Sequence, residues 1–295
     1  MTRQFFAGCL TPAGFVDYFH HIMPLENARK RYFLKGSSGS GKSTFIKKVA
    51  AAFTGHDIDL FHCSNDISSV DGIAIPALGF SIIDATAPHS HDPAMPAAVD
   101  EILDFAQFLD AEKVAKHRDE LMELIATKKR LYAQAQKWLA TIGVEGVGSV
   151  VKSEQLPHTR NRSLFLSAIT PDGVKSFADT TLAHYQLRDI PAGATLHGLK
   201  TQALANGFNT ESCHNPLYPA QLEALILPTE GVVYMSNEKT QTSPALDNAI
   251  AAMHQARTLH YKIEEIYIAA MDFSQMEKLV HLVYNGNIKL RGVSP

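Results

Sequence analysis

Tyr32-Phe33-Leu34-Lys35-Gly36-Ser37-Ser38-Gly39-Ser40-Gly41-Lys42-Ser43-Thr44-Phe45 runs from an apolar triplet, through a glycine–serine loop, into a helical pattern. Gly36 to Thr44 meets the phosphate-binding pattern G-x-x-x-x-G-K-[ST] in full. Small residues let the backbone turn tightly, so that several N–H groups point inward at an anion. Lys42 is then expected to reach the β- and γ-phosphates and the Ser43 hydroxyl to hold Mg²⁺. The flanks agree. Tyr32 to Leu34 reads as a buried strand, and Thr44 to Phe53 as a helix with Phe45, Val49 and Phe53 on one face. Its N-terminus adds the positive end of a helix dipole beside the loop.

Composition narrows the classes. The 295 residues suffice for one large or two ordinary domains, and 45% apolar content supports a packed core. A net charge of −3 with mixed signs gives no electrostatic case for a nucleic acid ligand. The apolar start is interrupted by Thr11 and Pro12 too early for a signal peptide, and no stretch reaches a membrane span. Cys9, Cys63 and Cys213 are too few and scattered for a disulfide framework or zinc site, so the expected setting is cytoplasmic and no membrane partner is expected.

The chain also resembles itself. Arg3 to Tyr18 (RQFFAGCLTPAGFVDY) and Arg162 to Phe177 (RSLFLSAITPDGVKSF) share the arginine, a phenylalanine, Thr-Pro and a glycine without a gap. Gly193 to Gly198 repeats the spacing of Gly36 to Gly41. Cys63-Ser-Asn65 matches Cys213-His-Asn215, and Ile75-Pro76 to Gly79 matches Leu227-Pro228 to Gly231. The reading is one unit used twice: residues 1–148, including a helical segment 97–142, and residues 149–295, with Gly143 to Gly148 as linker. In the second copy Leu199 stands where the first has Lys42, and Lys200 falls one place late, so that loop is expected to be degenerate.

Ile58 to Cys63 reads as a second strand ending in the turn-like Ser64-Asn65-Asp66, and Asp71-Gly72 reads as another turn. Phe80 to Asp84 is an apolar strand ending in a carboxylate, suited to hold a Mg²⁺-bound water beside Ser43; the second copy has Ser236 there. His89, in the Thr86 to Asp92 segment, is a candidate γ-phosphate or substrate sensor. His89, His91 and Asp92 are a weak set for a transition metal. Ala97 to Leu109 and Ala111 to Ile142 have helical spacing, the latter with an apolar stripe of Leu121, Ile125, Tyr132 and Leu139. Its basic cluster Lys128-Lys129-Arg130 reads as a solvated face, or as a lid over the nucleotide. Pro244 to Tyr284 is the matching helical region.

Phe6-Ala-Gly8 with Thr11 to Phe15, the phosphate loop, Cys63 to Asp66, Ile83-Asp-Ala-Thr-Ala-Pro-His89, Leu164 to Pro171 and Tyr267 to Phe273 together resemble a bacterial family of duplicated P-loop ATP-binding proteins, labelled ATPase or nucleotide-kinase-like. The resemblance covers nearly the whole chain. It implies an α/β fold of P-loop NTPase type: a mostly parallel sheet flanked by helices, duplicated in tandem, with a long helical segment after each core. It also implies ATP binding with no settled substrate. Many members keep a phosphate loop in both halves, and this chain departs at Leu199 and Ser236. The expected ligand is a nucleoside triphosphate, ATP with Mg²⁺, held by Gly36, Ser37, Ser38, Gly39, Ser40, Gly41, Lys42, Ser43 and Thr44. Lys42, Asp84, Asp66 and His89 are the candidate catalytic groups.

Three functions follow as expectations. The first is an ATP hydrolase in which Asp66 or His89 positions water. The second is a small-molecule or nucleotide kinase, with Asp66 or Asp71 at the acceptor. The third is a nucleotide sensor that acts on a protein partner without turnover.

Overall fold

The computed structural model describes residues 1–142, 160–237 and 242–289. The expected linker Gly143 to Gly148 and the boundary at 148/149 lie outside the described residues.

The chain opens with β1 (Thr2–Phe6) and a hairpin of β2 (Gly8–Thr11) and β3 (Gly14–Asp17). Next come β4 (Lys30–Lys35), α1 (Lys42–Ala52), β5 (Ile58–His62), β6 (Val70–Ile75), β7 (Phe80–Asp84) and β8 (Asp100–Asp104). The short α2 (Ala111–Ala115) and the long α3 (Arg118–Ile142) follow. The strands outside the hairpin form one sheet of order β1-β5-β6-β7-β4-β8.

The sheet is mostly parallel, as expected, with β6 as its one reversed strand. β1 runs with β5, and β4 with both β7 and β8, while β6 opposes both of its neighbours. Connection length is the reason: residues 63–69 and 76–79 are links of hairpin size, and a parallel crossover needs about a dozen residues or more.

Three expectations change. Asp71-Gly72 is no turn but lies within β6. A Cβ on Gly72 would sit 2.8 Å from Ile22 Cδ1 and 3.1 Å from Ile82 O, so glycine is there for close packing. Ala97 to Leu109 is not helical: β8 pairs with β4, and a 3-10 turn follows at Phe105–Phe108. Arg31 donates to both Asp100 carboxylate oxygens at 2.7 and 2.9 Å, which pins this edge strand against its helical periodicity. Ala111 to Ile142 splits into α2 and α3 near Lys116, and of its expected stripe Leu121 and Leu139 are buried while Ile125 is exposed.

The second half has β9 (Asn161–Leu164), a hairpin of β10 (Ser167–Thr170) and β11 (Gly173–Ser176), α4 (Ala178–Leu182), β12 (Gln186–Arg188) and α5 (Leu196–Ala205). It continues with β13 (Thr210–His214), β14 (Leu222–Leu227), β15 (Val232–Met235), α6 (Pro244–Ala270) and α7 (Met276–Lys289). Its sheet order is β12-β15-β14-β13-β9. Read from β9, it repeats β1-β5-β6-β7-β4 in order and in strand sense. Both sheets carry a register shift at corresponding places, Phe61/His62 and Cys213/His214. These registers set Cys213 opposite Leu164 as Phe61 is set opposite Phe5, so Cys213 corresponds to Phe61 and not to Cys63. Pairing Cys63 with Cys213 instead offsets the two strands by two residues.

Strand alternation places the core. Phe5, Phe33, Phe61 and Ile83 leave the first sheet on one face and pack against Leu164, Cys213, Ala224, Ile226 and Val233 of the second. The other face of the first sheet buries Tyr32, Leu34, Ile73 and Ile82 under Phe45, Ile46 and Val49 of α1 and Met276, Val280 and Val283 of α7. The outer face of the second sheet packs α5 through Leu196 and Leu199. α3 and α6 lie against each other antiparallel: Ala135 and Leu139 meet Leu246, Ala249 and Met253, and Lys128 meets His260.

Between the sheets sits a buried charge quartet. Arg3 donates to Asp59 at 2.8 Å and to Glu211 at 2.7 Å, and Arg162 donates to the same two carboxylates at 2.8 Å. Burial opposes charge on Asp59, but Arg3 and Arg162 hold its carboxyl below the usual range. Burial likewise works against the Arg3 cation, and Glu211 and Asp59 raise its pKa well above the ordinary value. Among the described residues no helix is long and apolar enough to cross a membrane.

Candidate functional site

The loop 36–41 leaves the carboxyl end of β4 and enters α1. Gly39 (φ +73°) and Gly41 (φ +84°) take left-handed conformations that side chains resist. Gly41 caps α1 with no side-chain hydrogen bond, so the first-turn amides keep their donors for a ligand. Lys42 is 7% exposed; its Nζ donates to Ser37 O at 2.7 Å and stands 3.7 Å from Asp84 Oδ2. The lysine is thus folded back over its own loop and next to the carboxylate that ends β7.

Ser43 accepts a hydrogen bond from the Val70 amide at 2.9 Å, which turns its oxygen toward β6. Asp84 accepts from the Thr86 amide at 2.9 Å. The hydroxyls of Ser37 and Thr86 are buried without a partner. Unpaired buried hydroxyls beside the uncapped first turn of α1 suit a polar ligand. For Mg²⁺, Ser43 and Asp84 supply oxygen donors of the right hardness. Among the described residues no group of three or more His, Cys, Asp or Glu side chains is placed to hold a metal, so such an ion would lean on phosphate and water. The set His89, His91 and Asp92 does not gather: His91 bonds Asp17 at 2.9 Å, while His89 turns to Asp84.

His89 bonds the Asp84 carbonyl through Nδ1 at 2.9 Å and stacks on Phe19 with ring centroids 4.2 Å apart. Its Nε2 faces Asp71 at 3.9 Å. Asp71 is the residue that the turn-like Asp-Gly pair concealed. The β6–β7 register, with Gly72 opposite Ile83, sets it across from Asp84. Burial pushes its carboxyl up to about 6, with Asp84 adding to the rise and His89 opposing it. Asp66, by contrast, spends its carboxylate on a turn, accepting from the Ser68 amide and the Ser68 and Ser69 hydroxyls at 3.0, 2.7 and 2.8 Å. Burial opposes its charge, but these bonds hold its pKa below the ordinary value.

No protein-family model, no curated protein and no solved structure matches this chain.

The roof of the site comes from the second half. A Cβ on Gly39 would meet Glu264 O at 2.7 Å and Ile268 Cγ1 at 3.1 Å; one on Gly41 would meet Met276 Cε at 2.7 Å and Phe273 Cε1 at 3.0 Å. The corner between α6 and α7 therefore lies on the loop. Lys128 of α3 reaches His260 Nδ1 at 3.3 Å, while Lys129 and Arg130 are exposed, which splits the expected lid cluster. Burial, then Lys128, pushes His260 down to about 4. Nothing in the sequence marks this roof except the helical run that carries His260 and Glu264.

The second loop differs physically. α5 starts at Leu196, capped by Thr195, whose hydroxyl accepts the Gly198 amide at 3.1 Å. Leu196 begins the helix as Lys42 does in the first half. Leu199, placed opposite Lys42 by spacing, lies one turn inside the helix with Gly198. Ser236 follows β15 as Asp84 ends β7, and its amide donates to Glu223 O at 2.8 Å.

Proposed function

We propose that the chain binds Mg-ATP at residues 36–44 and hydrolyses it at one competent site, and that its second half is a copy that has lost the chemistry. The observation that carries the reading is Lys42. It is a buried cation at the start of a helix with free amides, beside an aspartate that ends the neighbouring strand. The repeated strand order and the paired register shifts support descent of both halves from one P-loop-type unit.

Lys42 exchanges the Ser37 carbonyl for the β/γ-phosphates, and the first-turn amides take phosphate oxygens. Ser43 and Asp84 would hold Mg²⁺, which would screen the phosphate charge. His89, stacked and hydrogen-bonded in place, orients the attacking water.

Asp71 favours a second reading, phosphoryl transfer to a hydroxyl acceptor. It is a mostly buried carboxylate across from Asp84 that phosphate binding does not need, and it is placed to take the acceptor's proton.

Calorimetry with a non-hydrolysable Mg-ATP analogue, paired with phosphate-release assays with and without hydroxyl acceptors, tests both. One site per chain is expected, with binding or turnover reduced about a hundredfold or more in Lys42→Ala. Unchanged binding and turnover in that variant, or two sites of which one survives it, refutes the single-site reading. ADP formation that requires an acceptor selects the second.

A further inference from the structure

We infer that β12 is a docking edge for a second copy of this chain, and that two copies pair there antiparallel about Leu187, so that the second sheet continues from one molecule into the other.

The two sheets differ at this edge. In the first, β8 covers the outer side of β4, and the Arg31 amide donates to Val99 O at 2.9 Å. The registers run Arg31–Ser81–Ala74–Asp59 across the first sheet and Leu187–Val233–Ile226–Glu211 across the second. Leu187 therefore stands where Arg31 does. In the first half residues 85–99 carry the chain from β7 to β8; in the second, α6 begins at Pro244 soon after β15 ends at Met235. Among the described residues β12 is the last strand of its sheet, its three residues are exposed, and Leu187 is 65% exposed.

The backbone direction follows from the ladder. Gln186 pairs with Val232, and its amide donates to Gly231 O at 2.7 Å. In a parallel pair, residues that face the partner alternate with residues that face away. Gln186 and Arg188 thus face β15, and the N–H and C=O of Leu187 point outward. Such open groups are a template for another strand, and edges are commonly guarded by charge. The first half has Arg31 at this place, bound to Asp100 of its added strand; the second has a leucine.

One outward-facing residue makes the edge complementary to itself. With two copies antiparallel about a twofold axis at Leu187, each Leu187 N–H donates to the other's carbonyl oxygen. The two leucine side chains then lie side by side on one face. On the other face Gln186 lies opposite Arg188 of the second copy. Arg188 already donates to Gln186 within its own strand at 3.1 Å, and a guanidinium has donors enough for both amides. No like charges stand opposite each other within the strand. Pro191, which has no amide, keeps the pairing short, and the twofold closes it at two copies. A foreign strand would meet the same backbone groups, but the leucine pair and the glutamine–arginine match belong to this edge set against itself.

The test is sedimentation velocity of the full chain without nucleotide. Between about 5 and about 300 µM the mass should shift from one chain to two, the concentration dependence of a short interface. Hydrogen exchange at the Leu187 amide should slow over the same range. Leu187→Lys sets two cations directly opposite each other and should abolish the shift. Leu187→Pro removes the outward amide at a position where an edge tolerates proline, and should do the same. A parent that stays at one chain throughout overturns the inference. So does a two-chain species that survives both variants, which places the contact elsewhere, and so does a mass that keeps growing past two.

Discussion

Replacing Arg3 by methionine removes one cation from a buried set of two arginines and two carboxylates. Arg3 supplies two hydrogen bonds to Asp59, at 2.8 Å each, and two to Glu211, at 2.7 and 3.0 Å. Arg162 remains at 2.8 Å from both, so each carboxylate keeps one partner and the cluster is left with one uncompensated negative charge. Breaking a buried ion pair from one side costs about 3–5 kcal/mol. That is a large share of the roughly 5–15 kcal/mol by which a folded protein is stable.

The loss is pH-dependent. In the parent, Asp59 has a lowered pKa, so its stabilisation is present above the unfolded carboxyl range and lost as pH falls through the folded value. In Arg3→Met one carboxyl of the pair loses its cation and its folded pKa rises above the unfolded one. The folded variant then takes up a proton that the unfolded chain does not, so its deficit shrinks as pH falls from 7 toward 4. Adding Glu211→Gln restores charge balance and should recover part of the loss. Urea unfolding of the three proteins at pH 7 and pH 4.5 measures this. A deficit below about 1 kcal/mol at pH 7, where exposed pairs lie, would refute the argument; a deficit equal at both pH values would refute its electrostatic part.

Two further perturbations separate site from scaffold. Asp84→Asn should keep the fold while weakening the Mg²⁺ dependence of nucleotide binding; coincident magnesium titrations of variant and parent would make Asp84 structural. Gly79→Ala should destabilise by about 1–2 kcal/mol, because Gly79 has φ +60° and a Cβ there would sit 2.7 Å from Asn27 O. A melting temperature equal to the parent's would contradict that.

The sequence carried the part of the site that local geometry makes. A strand, a glycine-rich loop and a helix need their residues in an unbroken order, so β4, the loop and α1 were readable, as was the strand that ends at Asp84. Asp71 was hidden because Asp-Gly is a common turn pair, and only the β6–β7 register shows it across from Asp84. β8 was hidden because an edge strand with Ile102 outward and Leu103 inward also fits helical spacing. The reversal of β6 follows from its two short links, which strand periodicity does not mark. Glu264 was out of reach for another reason: its contact with Gly39 arises only when the two halves pack, and a glutamate in a charged helix has no local mark.

The docking of α7 on α1 makes the folding unit larger than either sheet with its own helices. Residues 1–142 contain a complete strand pattern, but Met276, Val280 and Val283 close the apolar layer over Phe45, Ile46 and Val49 from the far end of the chain. Leu246 and Met253 do the same for Ala135 and Leu139. A first half made alone would present these surfaces to water, together with Phe5, Phe33 and Phe61. The chain is therefore expected to melt as one cooperative body, and synthesis must reach its last helix before the first sheet is covered on both sides. The same arrangement means that a loosened C-terminal helix is felt at the phosphate loop, where Met276 rests on Gly41.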